Sequence, residues 1–308
     1  MTILISGSTG FIGSALTHHL RSLGHFLLRL VRSTSSSSSE IYWDPEKKIL
    51  DVSRLEGIEV VIHLAGENVA TGRWTKDKKR KILESRVKGT TFLCDSLAQL
   101  SKRPKALVSA SAIGYYGERG EEFLTEESPP GRGFLAEVCQ AWEAATEGAK
   151  RVGIRVVHVR IGMVLSPKGG ALQKMLFPFK LGLGGKIGTG NQFVSWITLD
   201  DLLNIFLHCI SRNELQGAVN GVTPNPVTQS QFANSLGKVL KRPAVFPMPA
   251  FVARLLLGEL ADTLLLASTR VKPLRLLETN FKFHFPELEE ALRHLLLKTS
   301  SKFKDSCD

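Results

Sequence analysis

The chain opens MTILISGSTGFIG, and these thirteen residues constrain the fold more than any other stretch. Ile3–Leu4–Ile5 is a short apolar run that reads as a buried strand, and the run from Phe11 to Leu23 is amphipathic at helical spacing. Between them stand Gly7, Gly10 and Gly13, spaced G-x-x-G-x-x-G rather than G-x-G-x-x-G. A glycine turn between strand and helix gathers bare backbone N–H groups at the positive end of a helix dipole. The first two glycines allow a tight turn and the approach of a pyrophosphate, and the third lets helix and strand pack closely. The stretch therefore predicts an α/β chain built on a parallel sheet that binds a dinucleotide.

The remaining chain is long enough, at 308 residues, for one large domain or two. No apolar run approaches the length of a membrane span, so no membrane partner is expected. The first residues already read as a core strand, and no leader segment is expected. Cys94, Cys139, Cys209 and Cys307 are scattered without metal-ligand spacing, which predicts no metal site, no disulfide framework and a reducing cytoplasm. The net charge of +11 raises the question of nucleic acid, and the run from Lys76 to Lys81 between Arg73 and Arg86 is its densest basic segment. Trp74 is the one aromatic residue near it and no nucleic-acid motif accompanies it, so the run reads as a solvated helix face.

Strand and helix signals alternate through the first half. Phe26–Val31, Val60–Leu64, Lys105–Ala110 and Ile154–Ile161 read as strands, and Thr75–Leu100 and Phe134–Val152 as helices. Ile41–Trp43 and Lys48–Asp51 read as a hairpin with Pro45 in its turn, after a serine tract at Ser33–Ser39. Such alternation means a doubly wound parallel sheet. At the end of the second strand an acidic residue usually holds the ribose 2′-hydroxyl of NAD. Arg32 and Ser33 stand there instead, and a guanidinium suits a 2′-phosphate, which points to NADP. His63, inside a strand, reads as a core histidine. After residue 165 glycines and prolines break the chain into shorter elements, around an amphipathic Leu172–Leu181 and a helix at Asp200–Ser211. Phe251–Leu257, Leu264–Ala267 and a final helix at Pro286–Leu297 complete the chain's main elements. We expect a nucleotide-binding domain at 1–165, joined again by 198–222. A smaller lobe at 166–197 and 223–300 is expected over the C-terminal sheet edge, with a tail at 301–308.

The turn G-x-x-G-x-x-G, the strand end His63–Leu64–Ala65–Gly66, and Ser111 with Tyr116–Gly117 resemble an extended short-chain dehydrogenase/reductase. NVATGRW, SRVKGT, SAIGYYG, FLAEVCQAWE, GGALQKMLFPFKLGLGG and KPLRLLETNFKFHFPELEEAL resemble one branch of it. That branch comprises NAD-dependent epimerase-like proteins with an extra C-terminal region, some labelled cell-division inhibitors. The resemblance implies a Rossmann domain binding NAD or NADP and a variable substrate lobe. It assigns Gly7, Thr9, Gly10, Phe11, Ile12 and Gly13 to the pyrophosphate, Arg32 to the ribose, and Leu64, Ala65 and Gly66 to the far strand end. Arg86 falls where relatives have an asparagine of N-V-x-G-T, and Met163 and Val164 fall beside the nicotinamide.

The chemistry departs from that pattern. Relatives carry Y-x-x-x-K on one helix, which stacks a phenol and an ammonium on one face. Here the matching helix has Leu135 and Cys139, or Phe134 and Val138 with a one-residue slip, and none of these replaces the pair. Three readings stand. In one, an NADP-dependent oxidoreductase or epimerase keeps Ser111 to orient a carbonyl and draws its phenol from Tyr115 or Tyr116, with Glu137 and Cys139 as further candidates. In another, the chain is a non-catalytic NADP(H) sensor. In the last, basic charge makes it a nucleic-acid adaptor. Relatives often form homodimers through two long helices, although the lysine-rich start of Thr75–Leu100 opposes like-charged pairing there.

Overall fold

A computed structural model describes residues 1–33 and 37–297. The tail at 301–308, Cys307 and the middle of the serine tract lie outside the described residues. In chain order the first elements are β1 (Thr2–Ser6), α1 (Phe11–Ser22), β2 (Phe26–Val31), β3 (Glu40–Asp44), β4 (Ile49–Leu50), β5 (Val60–His63) and α2 (Lys76–Ala98). Next come β6 (Ala106–Ala112), β7 (Phe123–Leu124), α3 (Phe134–Ala144), α4 (Glu147–Arg151), β8 (Arg155–Ile161), β9 (Met163–Leu165) and α5 (Gly170–Lys180). After these stand β10 (Phe193–Val194), β11 (Trp196–Thr198), α6 (Leu199–Ser211), β12 (Gly217–Gly221), β13 (Val227–Thr228) and α7 (Gln229–Leu240). The last are α8 (Ala250–Leu257), α9 (Glu259–Ala261), β14 (Arg270–Val271), α10 (Leu274–Glu278) and α11 (Leu288–Leu297).

The main sheet has the order β12-β8-β6-β5-β1-β2-β3-β4. β1 runs parallel to both β2 and β5, β5 to β6 and β2 to β3, while β4 closes the edge antiparallel. The chain fills one side of β1 and then resumes at β5 on the other. That reversal is the switch point at which doubly wound sheets bind ligands, at the carboxyl ends of the strands. The expected α/β Rossmann-like class is what the structure has.

Two compact units form. The first holds Met1–Tyr115, Gly133–Arg160 and Leu203–Val219, and the second holds Tyr116–Arg132, Ile161–Leu202 and the chain from Asn220 onward. In the first unit Leu4, Leu30, Val61 and Leu107 from the sheet pack with Leu93 and Leu97 of α2, all buried. Arg155 closes the end of α6 by donating to the carbonyls of Cys209, Ile210 and Leu215 at 2.7–3.0 Å. A cation at a helix C-terminus satisfies the orphan carbonyls and the dipole together. The helix expected over Phe134–Val152 is broken after Ala144. Buried Thr146 causes the break, because its hydroxyl donates to the Glu143 carbonyl at 2.7 Å and its oxygen meets His158 Nε2 at 2.9 Å.

In the second unit Leu172, Leu176, Trp196, Phe232, Leu236 and Leu292 form the core. A reciprocal capping box between Thr228 and Gln231 starts α7. Asp201 is fully buried and its carboxylate accepts from the backbone N–H groups of His284 and Phe285 at 2.9 and 3.0 Å. That ties the approach to α11 onto α6. Leu264–Ala267, expected as an apolar segment, falls largely in a single wide turn of helix, Asp262–Leu266.

Candidate functional site

The glycine turn in the first unit is a cradle that no side chain fits. Gly7 has φ +69°, and a Cβ there would meet the Leu64 carbonyl carbon at 2.7 Å. A Cβ on Gly13 would stand 2.1 Å from the Gly7 oxygen, so α1 approaches β1 as closely as backbone permits. No side chain caps α1 at Gly10 and no acid occupies its first turn. Thr9 and Gly10 are exposed, Phe11 and Ile12 half-buried. Ser8 is buried there, and its hydroxyl has no partner among the described residues. Uncapped N–H groups, a positive dipole end and an unsatisfied hydroxyl fit a bound phosphate.

The facing strand end is held by a buried hydrogen-bond chain. Ser6 Oγ accepts from the N–H groups of Leu64 and Ala65 at 3.2 and 3.3 Å. Its own proton then goes to His63 Nδ1 at 2.6 Å, and His63 Nε2 donates to Thr90 at 3.0 Å. Burial pushes the His63 pKa down to about 4, so the ring is neutral. His63 is thus a core histidine, as its place in a strand suggested, and it fixes the Leu64–Ala65–Gly66 turn. Beside that turn, a Cβ on Gly66 would lie 3.1 Å from the Arg86 guanidinium carbon. Arg86 donates to the carbonyls of Glu67 and Ile82 at 2.9 and 3.1 Å and lies over the Trp142 ring. Arg32 stands directly after β2; its side chain is 66% exposed, with Glu46 at 3.5 Å.

At the end of β6 the structure joins residues that lie far apart in the sequence. Glu143 of α3 accepts from Ser111 Oγ at 2.7 Å and takes a two-point pair from Arg160 of β8 at 2.8 and 2.9 Å. Burial works against the Glu143 charge, but Arg160 outweighs it and holds the carboxyl below its ordinary value. The Arg160 guanidinium lies over the half-buried Tyr115 ring, 3.4 Å from its centroid. Ser111, Glu143, Arg160 and Tyr115 form one connected set inside the first unit. An ionised Glu143 accepts the hydrogen bond from Ser111, which leaves Ser111 Oγ able to accept from another donor, and the buried Cys139 thiol bonded to it is one such group. The signal in the sequence was an arginine within the apolar strand RVVHVRI, which demands a buried counter-charge.

The missing Tyr–Lys pair has been replaced by packing. Leu135 and Cys139 are buried against Gly114, the nearest Leu135 atom 3.2 Å from where a Cβ would stand. Burial pushes the Cys139 thiol up to about 11, so it stays protonated. Glu137 is exposed on the same helix. Tyr116 belongs to the second unit and is fully buried. Its hydroxyl donates to Asn220 Oδ1 at 2.7 Å, and Asn220 is itself bonded to the Lys272 carbonyl and to Glu126. A Cβ on Gly131 would lie 2.0 Å from the Tyr116 carbonyl oxygen. This geometry makes Tyr116 an anchor of its unit and leaves Tyr115 as the phenol beside Ser111's network. Met163 and Val164 lie in β9, half-buried and parallel to β11. Among the described residues no cluster of metal-ligating side chains occurs.

With this geometry the family assignment is direct. Residues 3–220 match the NAD dependent epimerase/dehydratase family. The chain belongs to that family. Residues 248–295 match a domain of unknown function, DUF1731, which accounts for the extra C-terminal region. The epimerase family protein MT2273 of Mycobacterium tuberculosis is 39% identical over 290 residues, 94% of this chain and 96% of that one. A chloroplastic homolog of epimerase family protein SDR39U1 in Arabidopsis thaliana is 37% identical over 307 residues, 96% of this chain and 87% of that one. A solved structure of human epimerase family protein SDR39U1 (isoform2) with NADPH superposes with a TM-score of 0.88 at 35% identity. It covers 96% of this chain and 99% of the human one.

Proposed function

We propose that this epimerase-family protein binds NADP(H) and acts as an oxidoreductase on a small carbonyl or hydroxyl compound. The observation that carries this reading is the connected set Ser111–Glu143–Arg160–Tyr115 in the family member that lacks Y-x-x-x-K. NADPH in the human relative's structure and the cradle at Gly7–Gly13 support the cofactor. Gly7, Thr9, Gly10, Phe11, Ile12 and Gly13 would hold the pyrophosphate, Arg32 the 2′-phosphate, and Leu64, Ala65, Gly66 and Arg86 the remainder.

When bound, the nicotinamide supplies or accepts the hydride. In reduction, Tyr115 gives its phenolic proton to the substrate oxygen as hydride reaches the carbon. The phenolate that remains lies over the Arg160 charge, and Glu143 holds that arginine in place. In oxidation the phenolate takes the proton back. Ser111, its own proton committed to Glu143, accepts a hydrogen bond from a neighbouring substrate hydroxyl and orients it. The test is NADPH oxidation against a panel of aldehydes, ketones and keto-sugars. Tyr115→Phe is expected to lower turnover by about 10²-fold or more. Unchanged turnover in Tyr115→Phe refutes the role of that phenol.

The packing of Leu135 and Cys139 against Gly114 favours one second reading, a non-catalytic NADP(H) sensor. Tight NADPH binding without turnover on any carbonyl in the panel selects it. The cysteines are scattered along the chain without disulfide spacing, which supports a reducing compartment. Cytoplasm and chloroplast interior both provide one.

A further inference from the structure

The second unit carries an apolar surface that its own core does not use. Phe177 and Leu181 at the end of α5, Leu183 after it, Phe246, and Phe251 and Leu255 of α8 are all exposed, with Phe177 at 73%, Phe251 at 68% and Leu255 at 70%. Backbone bonds make these segments continuous. The Phe246 and Met248 N–H groups donate to the Gly184 and Lys186 carbonyls at 3.1 and 2.8 Å, and Gly188 donates to Met248 at 2.9 Å. The Ala250 methyl, at the start of α8, lies 3.9 Å from where a Cβ on Gly188 would stand. Phe251 and Leu255 are one helical turn apart on the same face.

The charge around this surface is predominantly positive. No Asp or Glu occurs from Ile161 to Leu199 or from Asn220 to Gly258, the stretches of the second unit that include its apolar residues. The same segments carry Lys174, Lys180, Lys186, Lys241, Arg242 and Arg254. The carboxylates just beyond are Glu259 and Asp262, and Asp262 is paired with Arg254 at 2.8 Å. Lys186 also lines a recess of about 300 Å³ together with Ser230 and Asn234.

We propose that this face docks on a bilayer containing anionic lipid. The apolar side chains enter the acyl boundary, the cations meet lipid phosphates, and the Lys186 recess takes a headgroup phosphate. Self-association is disfavoured because a second copy brings a surplus of like charges to the contact, and the nearby Asp262 is already engaged by Arg254. The contact is peripheral, since no helix among the described residues is long and apolar enough to cross a membrane. It departs from the sequence expectation of no membrane partner and does not depend on the chemistry proposed for the first unit.

The test uses the full chain in co-sedimentation with phosphatidylcholine vesicles, with and without about 30% phosphatidylglycerol. Binding is expected to be at least tenfold greater on the anionic vesicles and to fall with added salt. Each surface lysine near an anionic bilayer contributes roughly fivefold, so Lys180→Gln with Lys241→Gln is expected to weaken binding roughly 25-fold. Phe251→Ser with Leu255→Ser, at exposed positions, is expected to remove it while the thermal melt stays unchanged. Equal binding to both vesicle types, or none to either, overturns the proposal. So does sedimentation as a dimer that the Phe251→Ser, Leu255→Ser pair converts to monomer, because the face is then an interface between copies.

Discussion

Mild acid is expected to destabilise the first unit through two histidines that its interior keeps neutral. His63 and His158 are buried, and burial lowers each pKa from 6.5 to about 4. Above about pH 6.5 both rings are neutral whether folded or not, and nothing is lost. As the pH falls toward 4 the unfolded chain takes a proton at each ring and the folded chain does not, so stability declines across that window. At about pH 5 the linkage amounts to about 2 kcal/mol for each ring, or about 4 kcal/mol together. That is a large part of an ordinary domain's stability. Glu143 and Glu67, with pKa values below the ordinary carboxylate, lose their contribution only at lower pH and do not mask the effect. His208, lowered mainly by burial, adds in the same direction. The assay is urea unfolding at about pH 7 and about pH 5, monitored by tryptophan fluorescence, to which Trp43, edge-on to the His63 ring at 6.2 Å, contributes. His63→Gln keeps hydrogen-bonding groups but cannot titrate, and it is expected to remove roughly half of the pH dependence. A protonated His63 cannot accept from Ser6, so NADPH affinity of the folded chain is expected to hold to about pH 5 and to fall only toward pH 4. A pH slope that is the same in His63→Gln and wild type, or stability that rises toward pH 5, rules out buried neutral His63 as a source of the acid sensitivity.

Arg32→Ala is expected to weaken NADPH binding by about tenfold or more while NADH binding changes little, and equal loss in fluorescence titrations removes Arg32 from the 2′-phosphate. Gly13→Ala places a methyl 2.1 Å from the Gly7 oxygen and is expected to abolish NADPH binding in the same titration. Tyr116→Phe strips Asn220 Oδ1 of its donor in a buried site and is expected to cost about 1–3 kcal/mol in chemical unfolding. Tyr115→Phe, on a half-buried ring, is expected to leave stability nearly unchanged. Glu143→Ala leaves Arg160 buried without its carboxylate, and a loss of about 3–5 kcal/mol is expected by the same unfolding measurement.

Local chemistry made much of the first unit readable. The strand Ile3–Ile5, the three glycines and the amphipathic Phe11–Leu23 act within one stretch of chain, and β1, the turn and α1 formed where they were expected. The parallel sheet could be inferred from strand–helix alternation, because crossover connections leave few other topologies. Helix ends were less readable, as at Thr146, whose bonds to Glu143 and His158 override a helical pattern.

The site divides along the same line. The absence of Y-x-x-x-K is a fact of spacing, visible at Leu135 and Cys139 in the sequence alone. That Glu143 joins Ser111 to Arg160, 32 and 17 residues away, depends on a helix and two strands meeting in space. The adjacent Tyr115 and Tyr116 are chemically equal in the sequence. Tertiary structure separates them, setting one ring over Arg160 and burying the other hydroxyl on Asn220, 104 residues along the chain. Backbone propensity and hydrophobic period are local and can be read in order, whereas the pairing of buried charges is decided by which distant segments the fold brings within hydrogen-bond reach.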